Sequence, residues 1–308
     1  MMISVVIPTF NASSSLVELT RRIQSSLKHN QSIEIILIDD GSSDDTWNKI
    51  QSLSSKSRSI RGIKLSRNFG QHNALLCGIR EANGSFIVTL DDDLQHSPED
   101  IPQLLSKLEE GFDVVYGTPS QQTHSLSRYI MSKLAKWALK STMGATVASQ
   151  ISAFRIFRTD LRDAFENYEG SNSNIDVMLT WATDSFSTVK VIHQTRKFGK
   201  SGYTFAKLIK HAMNMTTGFS TRPLKLATLI GFIFSAFGLI VFGYVIINWF
   251  KEGSIVPGFS FLASIISIFS GAQLVALGII GEYLARMHVS STRQPTFLIS
   301  DRTESSSS

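Results

Sequence analysis

The amino-acid sequence predicts an α/β domain with a Rossmann-like, mostly parallel β-sheet, followed by two membrane-spanning helices. Three observations support this prediction. Short β-rich runs alternate with longer helical runs in the N-terminal part, which is typical of βαβ units. Two long stretches near the C-terminus contain no charged residue. Carboxylates gather where predicted strands end, and open α/β sheets bind ligands beyond the carboxyl ends of their strands.

The alternation begins with a strand over residues 3–8 and ends with a strand over residues 112–117. The strand-like runs are ISVVIP, IEIILID, IRGIKLS, SFIVTL and FDVVYG. The helical runs between them begin with SSSLVEL, DDTWNKI, GQHNALL and PEDIPQL. We therefore expect a mostly parallel sheet that is covered by helices.

The two uncharged stretches predict transmembrane helices. Residues 226–250 and 253–281 contain no Asp, Glu, Lys or Arg. Both stretches exceed the roughly 20 residues that a helix needs to cross a bilayer, so we place the spans at residues 226–250 and 254–281. The alternative is a buried helical hairpin in a large soluble protein, although such uninterrupted apolar length is rare there.

Basic residues near the helix ends indicate the orientation. Arg222 and Lys225 precede the first span, and Arg286, His288 and Arg293 follow the second. The link between the spans carries one Lys and one Glu. Because basic residues accumulate on the cytoplasmic side, we expect a multi-pass protein of the cytoplasmic (inner) membrane with its soluble domain and both termini in the cytoplasm.

Two further segments have the pattern of interfacial helices. Residues 125–140 and 203–215 place apolar side chains on one helical face and basic side chains on the other. Either segment could also be an ordinary helix packed on the soluble domain. The membrane surface is favoured for residues 203–215, because this segment leads into the first span.

Charge and cysteine content restrict the partners and the compartment. The net charge of +5 is not accompanied by an aromatic-interleaved basic module, so nucleic acid is not expected as a partner. The positive charge is interpreted as attraction to anionic lipid and phosphorylated ligands. The single cysteine, Cys77, excludes an internal disulfide and agrees with a reducing compartment. The first ten residues lack the basic region of a signal peptide.

Three successive carboxylates follow the strand SFIVTL. If the chain stays extended, Asp91 and Asp93 point to one side and Asp92 to the other. A divalent ion could bridge the matched pair, with a diphosphate as the natural third partner and Gln95 as an additional ligand. The alternative is a turn of solvated acids that leads into the next helix.

Two more carboxylates end an earlier strand. Asp39 and Asp40 follow IEIIL, Gly41 permits a sharp turn, and Ser42 with Asp45 fits a capping box for the next helix. The capping box does not explain the two strand-end carboxylates, which could accept hydrogen bonds from a ribose or a base.

A fixed cation follows the third strand. Arg67, in LSRNFGQHNAL, suits a phosphate or a stacked ring and lies close to Gly70 at a helix start. Taken alone, this stretch could equally be a loop and a helix cap.

Taken together, five ordered motifs resemble a known family. They are VVIPTFN, IDDGSSDDT, LSRNFGQHNAL, DDDLQHSPED and RKFGKSGY. With the two C-terminal spans, they resemble the family 2 glycosyltransferases that load a sugar onto a polyprenyl phosphate, such as bactoprenol glucosyltransferases and dolichyl-phosphate mannose synthases. The resemblance extends to about residue 299 and implies a GT-A catalytic domain over residues 1–200, an interfacial juxtamembrane helix over residues 201–225 and a cytoplasmic tail over residues 282–308.

The resemblance also implies roles for individual residues. The nucleotide-side residues are Pro8, Thr9, Asn11, Asp39, Asp40, Arg67 and Asp92, the last in place of the family's usual alanine. Asp91, Asp93 and Gln95 match the motif that holds Mg²⁺ or Mn²⁺ with the diphosphate. Arg128, Arg196 and Lys200 match basic positions for the acceptor phosphate and, with Asp91 and Asp93, form the expected catalytic set.

The implied reaction moves a sugar from a nucleotide sugar to undecaprenyl phosphate with inversion. UDP-glucose is the favoured donor, the product would serve cell-envelope glycan modification, and a homo-oligomer is expected. A phosphate monoester, with a second pKa of about 6, is largely anionic at neutral pH. Such a nucleophile needs placement and charge compensation rather than a general base.

Three departures from the family pattern leave alternatives open. Ala12 stands where the family usually has Glu, Pro119 where an Arg is common, and Ala153 where many members have an acid. They motivate an alternative function, a catalytically inactive sugar-nucleotide-binding membrane scaffold. A processive polysaccharide synthase is disfavoured, because such enzymes usually have more spans and a Q-x-x-R-W stretch, which this chain lacks.

Overall fold

The computed structural model describes residues 2–26, 32–119, 150–170, 173–192, 222–252, 258–292 and 294–303. The chain divides into an α/β unit, Met1–Leu208 with Arg293–Ser308, and a helical unit, Ile209–Thr292. The described strands are β1 (Met2–Thr9), β2 (Ser32–Asp39), β3 (Ile60–Leu65), β4 (Phe86–Thr89), β5 (Val114–Pro119), β6 (Arg155–Arg158), β7 (Phe186–Val191) and β8 (Ile299–Arg302). The helices are α1 (Leu16–Ser26), α2 (Thr46–Lys56), α3 (Gln71–Arg80), α4 (Ile101–Glu109), α5 (Ile175–Ala182), α6 (Arg222–Glu252) and α7 (Phe259–Ser291), with 3₁₀ turns at Pro98–Asp100 and Thr159–Phe165.

The described strands form one mixed sheet in the order β7-β5-β6-β4-β1-β2-β3-β8. Strands β1 to β4 are parallel to one another, and β5 is parallel to β7. Strand β6 is antiparallel to both β4 and β5, and β8 is antiparallel to β3. The predicted mostly parallel α/β architecture is confirmed, as are the five predicted strands and the four predicted helices between them.

The core lies on both faces of the sheet. Strands β1 and β2 are almost wholly buried, which explains their continuous apolar runs. Because side chains alternate along a strand, Val5 contributes to the cluster under α1, α2 and α4, whereas Val6 contributes to the cluster under α3 and α5. The two helical layers therefore hold the sheet rigidly, and its carboxyl edge carries the loops that follow β1 to β4.

The segment after the second apolar helix belongs partly to this sheet. Strand β8 pairs with β3 at the sheet edge, although the sequence predicts only a tail there. Arg302 makes a bidentate pair with Glu81, the residue that follows α3, at 2.7 and 2.8 Å. The backbone N–H and O of Gly62 bond to Thr303, at 2.8 and 3.0 Å. These contacts cover the edge of β3.

The helical unit contains two long apolar helices that overlap the predicted spans. Helix α7 begins at Phe259 and continues to Ser291, ten residues beyond the predicted end of the second span at 281 and into the predicted tail. In α6 the window Ala227–Tyr244 has a mean hydropathy of 2.0, and in α7 the window Ile268–Val289 has 1.5. Both helices are long and apolar enough to cross a membrane. Only 6% and 0% of the two windows are buried, which argues against a buried hairpin in a soluble core. The ring of Phe269 packs against those of Phe234 and Phe237.

A buried carboxylate secures the amino-terminal ends of the central strands. Glu34 Oε1 accepts hydrogen bonds from Ser4 Oγ and the backbone N–H of Asn83, both at 2.5 Å, and Oε2 accepts one from Arg61 at 3.0 Å. Burial favours the neutral acid, but these donors and the Arg61 charge outweigh it and lower the pKa of Glu34.

We expect Glu34→Gln to lower the free energy of unfolding by about 1–3 kcal/mol near neutral pH, because an amide N–H₂ would face buried donors. The lowered pKa means that ionised Glu34 stabilises the fold above about pH 4.3, and that this contribution is lost as the pH falls through the folded-state pKa. Thermal unfolding of both proteins between pH 3 and 7 checks this. Glu110→Gln, at an exposed site, should change little; equal acid sensitivity of Glu34→Gln and the parent would contradict the prediction.

Candidate active site

A cavity of about 260 Å³ opens at the carboxyl edge of the sheet. The loops after β1, β2 and β4 line it, together with the start of α3. The lining residues are Pro8, Thr9, Phe10, Asp40, Asn68, Gly70, Gln71, Asp91, Asp92 and Asp93. The fold thus brings together six of the site residues implied by the resemblance: Pro8, Thr9, Asp40, Asp91, Asp92 and Asp93.

Other predicted site residues lie elsewhere. Asn11, Asp39, Arg67 and Gln95 are near these loops in sequence but are not among the residues that line the cavity. Arg128, Arg196 and Lys200 lie outside the described residues, as do both predicted interfacial segments, residues 125–140 and 203–215.

The loop after β1 is tied to its neighbours. Thr9 Oγ1 donates a hydrogen bond to the carbonyl of Ile38, at 3.0 Å, and the backbone N–H of Phe10 donates one to Asp92, at 3.2 Å. The Phe10 side chain is 49% exposed at the cavity. Asn11 has a φ of 52° and its Oδ1 accepts from the backbone N–H of Ser43, at 2.9 Å. Asn11 therefore joins two loops.

The two carboxylates after β2 have different environments. Asp39 is fully buried; its Oδ1 accepts from the N–H of Ser42 at 3.0 Å, and its Oδ2 has no hydrogen-bond partner among the described residues. Asp40 accepts from the N–H groups of Phe69 and Gly70, at 2.7 and 2.9 Å. Burial raises the pKa of Asp40 in spite of these donors. A ligand N–H or hydroxyl would satisfy the unpartnered oxygen of Asp39.

The turn after Asp40 requires glycine, but the predicted capping box is wrong. Gly41 has a φ of 71°, and a Cβ there would lie 2.6 Å from the backbone of Arg67 and Asn68. Ser42 Oγ instead accepts a hydrogen bond from the N–H of Asn11, at 2.9 Å. Helix α2 begins at Thr46, whose N–H donates to the carboxylate of Asp44, at 3.0 Å. Asp45 occupies the N-cap position, so Ser42 lies too far before the helix to cap it and joins two loops instead.

The loop after β3 carries Arg67, which was predicted as a site residue, and Asn68; neither Asn68 nor Gln71, at the start of α3, was predicted from the sequence. The guanidinium of Arg67 is exposed and lies 4.7 Å from the ring centre of Phe69. Asn68 and Gln71 line the cavity, and Gln71 Nε2 donates a hydrogen bond to Asp91 Oδ1 at 2.5 Å. The signal that could have revealed Gln71 is its position directly after Gly70, at the start of a helix that begins at the carboxyl edge.

The acidic stretch is a turn, so the expected alternation is wrong. Strand β4 ends at Thr89, and Leu94 has a φ of 60°. Asp92 and Asp93 lie in a turn rather than in an extended chain, and all three carboxylate residues line the same cavity. Burial raises the pKa of Asp92 to about 7, and repulsion from its two neighbours adds to the effect.

A buried cation lies behind this acidic turn. Arg155 of β6 is almost fully buried; its Nε donates to Thr89 Oγ1 at 2.8 Å, and its Nη1 pairs with Asp176 of α5. Tyr116 Oη also donates to Asp176, at 3.0 Å. Burial opposes the charge of Arg155, but attraction to Asp176, with a smaller contribution from Asp91, raises its pKa.

The donor set suits a hard divalent cation. Among the described residues, no three His, Cys, Asp or Glu side chains are grouped closely enough to hold a metal on their own. Mg²⁺ in nucleotide sites usually uses only one or two carboxylates plus substrate phosphates, so a complete protein cage is not required. Burial is the main cause of the raised pKa of Asp92, and a cation at this turn would relieve the added repulsion from Asp91 and Asp93. Asp91 and Asp93 therefore fit Mg²⁺ or Mn²⁺.

Comparisons with known proteins agree with this geometry. The model of the family described as Glycosyl transferase family 2 matches residues 4–165. The chain is 32% identical to an undecaprenyl-phosphate 4-deoxy-4-formamido-L-arabinose transferase of Pseudomonas savastanoi pv. phaseolicola, over 99% of this chain and 92% of that protein. The protein of the same name from Klebsiella pneumoniae is also 32% identical, over 96% and 92% of the two chains.

Solved structures show the shared fold. The glucosyl-3-phosphoglycerate synthase of Mycobacterium tuberculosis, in complex with Mn²⁺, UDP-glucose and phosphoglyceric acid, superimposes with a TM-score of 0.53 at 16% identity. The match covers 70% of this chain and 77% of that one. The predicted GT-A fold of the α/β unit is confirmed by this likeness.

Proposed function

Since the chain belongs to glycosyl transferase family 2 and is a polyprenyl-phosphate glycosyltransferase, we propose that it transfers a sugar from a UDP-sugar to undecaprenyl phosphate. The observation that carries this proposal is the cavity at the carboxyl edge, which is lined by four carboxylates, those of Asp40, Asp91, Asp92 and Asp93. Asp39, which precedes Asp40, supplies a buried oxygen with no hydrogen-bond partner among the described residues. The two apolar helices support a lipid acceptor. The relatives that match nearly the whole chain are named for transfer of a sugar to this lipid phosphate.

The proposed reaction is a single displacement with inversion. An oxygen of the lipid phosphate forms a bond to the anomeric carbon, and the bond from that carbon to the nucleotide diphosphate breaks, with its electron pair leaving on the diphosphate. An anionic phosphate has no proton to lose, so Ala153 at the position where many family members carry an acid does not prevent the reaction. The enzyme contributes alignment and charge compensation.

Particular residues have proposed roles in donor binding. Asp91 and Asp93 would hold Mg²⁺ or Mn²⁺, with Gln95 as a possible further ligand, and the bound cation would supply charge neutralisation for the diphosphate. The free oxygen of Asp39 would accept a hydrogen bond from the base, and Asp40 would contact the ribose at the cavity wall. Arg67, an exposed cation, would stabilise the leaving diphosphate.

The residues proposed to bind the acceptor are taken from the family resemblance. Arg128, Arg196 and Lys200 are proposed to bind the lipid phosphate and to cancel its repulsion with the diphosphate. The helical unit is proposed to span the cytoplasmic membrane twice, at residues 226–250 and 254–281. In chain order both ends of this helix pair lead to the α/β unit, so two crossings keep that unit on one side, which we propose is the cytoplasm.

The sugar is the open part of the proposal. Glucose is the sugar favoured by the resemblance to bactoprenol glucosyltransferases, whereas the relatives at 32% identity are named for formamido-arabinose. The test incubates the purified protein in detergent with Mn²⁺, undecaprenyl phosphate and a panel of labelled UDP- and GDP-sugars. The panel includes glucose and formamido-arabinose donors. We expect one UDP-sugar to give a lipid-linked product. Binding of nucleotide sugars without product from any of them would favour the inactive scaffold.

We expect Phe10→Ala to weaken UDP binding by roughly 5- to 150-fold, since stacking of a base on an aromatic ring is worth about 1–3 kcal/mol. The exposed ring at the cavity is the one aromatic side chain among the described lining residues. Titration calorimetry with UDP measures the change, and Phe10→Trp should retain most of the affinity. Equal affinities of Phe10→Ala and the parent would place the base elsewhere.

A further inference from the structure

Gln71 occupies a position in the cavity that the family motifs leave without a role. It is the first residue of α3 and lines the same cavity as the acidic turn. Its Nε2 donates a hydrogen bond to Asp91 Oδ1 at 2.5 Å, which joins two loops separated by 20 residues.

The turn that carries Gln71 is held firmly. The carboxylate of Asp40 accepts the N–H groups of Phe69 and Gly70, at 2.7 and 2.9 Å. The side-chain amide of Asn73 donates to the carbonyl of Phe69, at 2.8 Å. The buried end of β2 therefore holds the start of α3 in place. The backbone of Gln71, the first residue of that helix, is held with it.

Asp91, by contrast, lacks the support of a regular strand. Strand β4 ends two residues earlier, and the chain turns at Asp92 and Asp93. A partly exposed carboxylate on such a turn can adopt several rotamers, and holding one of them for a ligand has an entropic cost. A hydrogen bond from a fixed neighbour reduces this cost, and a carboxylate group still retains lone pairs for a cation.

We infer that Gln71 is a positioning residue that holds the Asp91 carboxylate in the orientation required for the divalent cation and the donor diphosphate. The inference rests on the proposed function, in which Asp91 is a metal ligand. The amide suits this role because it donates a hydrogen bond without carrying charge. A lysine or arginine at the same point would hold Asp91 but would repel the cation.

The test compares Gln71→Leu with Gln103→Leu, the same substitution at an exposed glutamine of α4 away from the cavity. The measurement is a Mn²⁺ titration of the full-length protein in detergent, with UDP present and no acceptor. The electron paramagnetic resonance signal of free Mn²⁺ reports how much of the ion is unbound. Loss of an interaction that orients a metal ligand typically weakens affinity by about 10–100-fold, and we expect this for Gln71→Leu and no change for Gln103→Leu.

Kinetics provide a second readout that a general loss of structure would not produce. For Gln71→Leu the Mn²⁺ concentration at half-maximal transfer should rise together with the dissociation constant, and most of kcat should return at saturating Mn²⁺. Gln71→Asn keeps the amide but shortens the side chain by one methylene, so it should weaken Mn²⁺ binding too. Unchanged unfolding temperatures show that both variants are folded.

The outcomes separate this inference from the proposed function. If Asp91→Asn loses Mn²⁺ while Gln71→Leu binds it like the parent, the role of Gln71 is wrong and the proposed function stands. If Asp91→Asn and Asp93→Asn both bind Mn²⁺ normally, the proposed metal site itself is wrong. A changed preference among UDP-sugars with unchanged Mn²⁺ affinity would show that Gln71 contacts the sugar, which also overturns the inference.

Discussion

Asp91→Asn and Asp93→Asn should each lower the rate of sugar transfer by about 10²–10³-fold, the usual effect of removing one group that stabilises developing charge. Asparagine preserves the size of the side chain but removes the negative charge that attracts a divalent cation to the acidic turn. The rate of transfer of labelled sugar to undecaprenyl phosphate checks this prediction. It is measured for each variant at several Mn²⁺ concentrations, with the donor that the panel of nucleotide sugars identifies.

Asp163→Asn is the matched control for these two variants. Asp163 is exposed in the 3₁₀ turn that follows β6 and does not line the cavity. We expect this control to retain the parent's rate. Near-normal, metal-dependent transfer by Asp91→Asn or Asp93→Asn would show that the cation is held by other groups.

The largest effect on stability is expected at the buried ion pair behind the acidic turn. Arg155→Met should lower the free energy of unfolding by about 3–5 kcal/mol, because Asp176 would remain buried as a charge with its cationic partner removed. Arg158→Met, the same substitution three residues along β6, should cost less, about 1 kcal/mol, since the Arg158 pair with Asp113 is partly exposed to solvent.

A double variant separates the cost of the unpaired charge from the value of the pair. Arg155→Met with Asp176→Leu removes both charges, and we expect it to recover much of the stability that Arg155→Met loses. Denaturant unfolding of the α/β unit within the full-length protein, followed by circular dichroism, measures all variants. Additive losses in the double variant would mean that the two side chains do not depend on each other.

The parts of the fold that follow periodicity could be predicted from the sequence. Strands β1 and β2 have buried apolar runs, and α1 and α4 have one apolar face, so both patterns are visible without the structure. The later strands β6, β7 and β8 each carry charged residues. Strand β6 is Arg-Ile-Phe-Arg, and it is stable in the sheet interior because Arg155 finds Asp176, a partner that local sequence does not reveal.

The candidate site could be predicted as a set of loops but not in its internal connections. The carboxylates at the ends of β2 and β4 were located correctly at one edge, because parallel strands end together. The turn at Asp92 and Asp93 could not be predicted, because the alternation of side chains stops where the strand ends at Thr89. The use of Ser42 between loops and the contact of Gln71 with Asp91 depend on tertiary packing.

The most direct test of the account is the position of Mn²⁺ in the protein with UDP bound. Crystals grown with Mn²⁺ and UDP, measured at the manganese absorption edge, locate the ion by anomalous scattering. The account predicts a peak at ligand distance from carboxylate oxygens of Asp91 and Asp93, next to the diphosphate. A bound diphosphate with no manganese peak at these carboxylates, or a peak held by other residues, would contradict it.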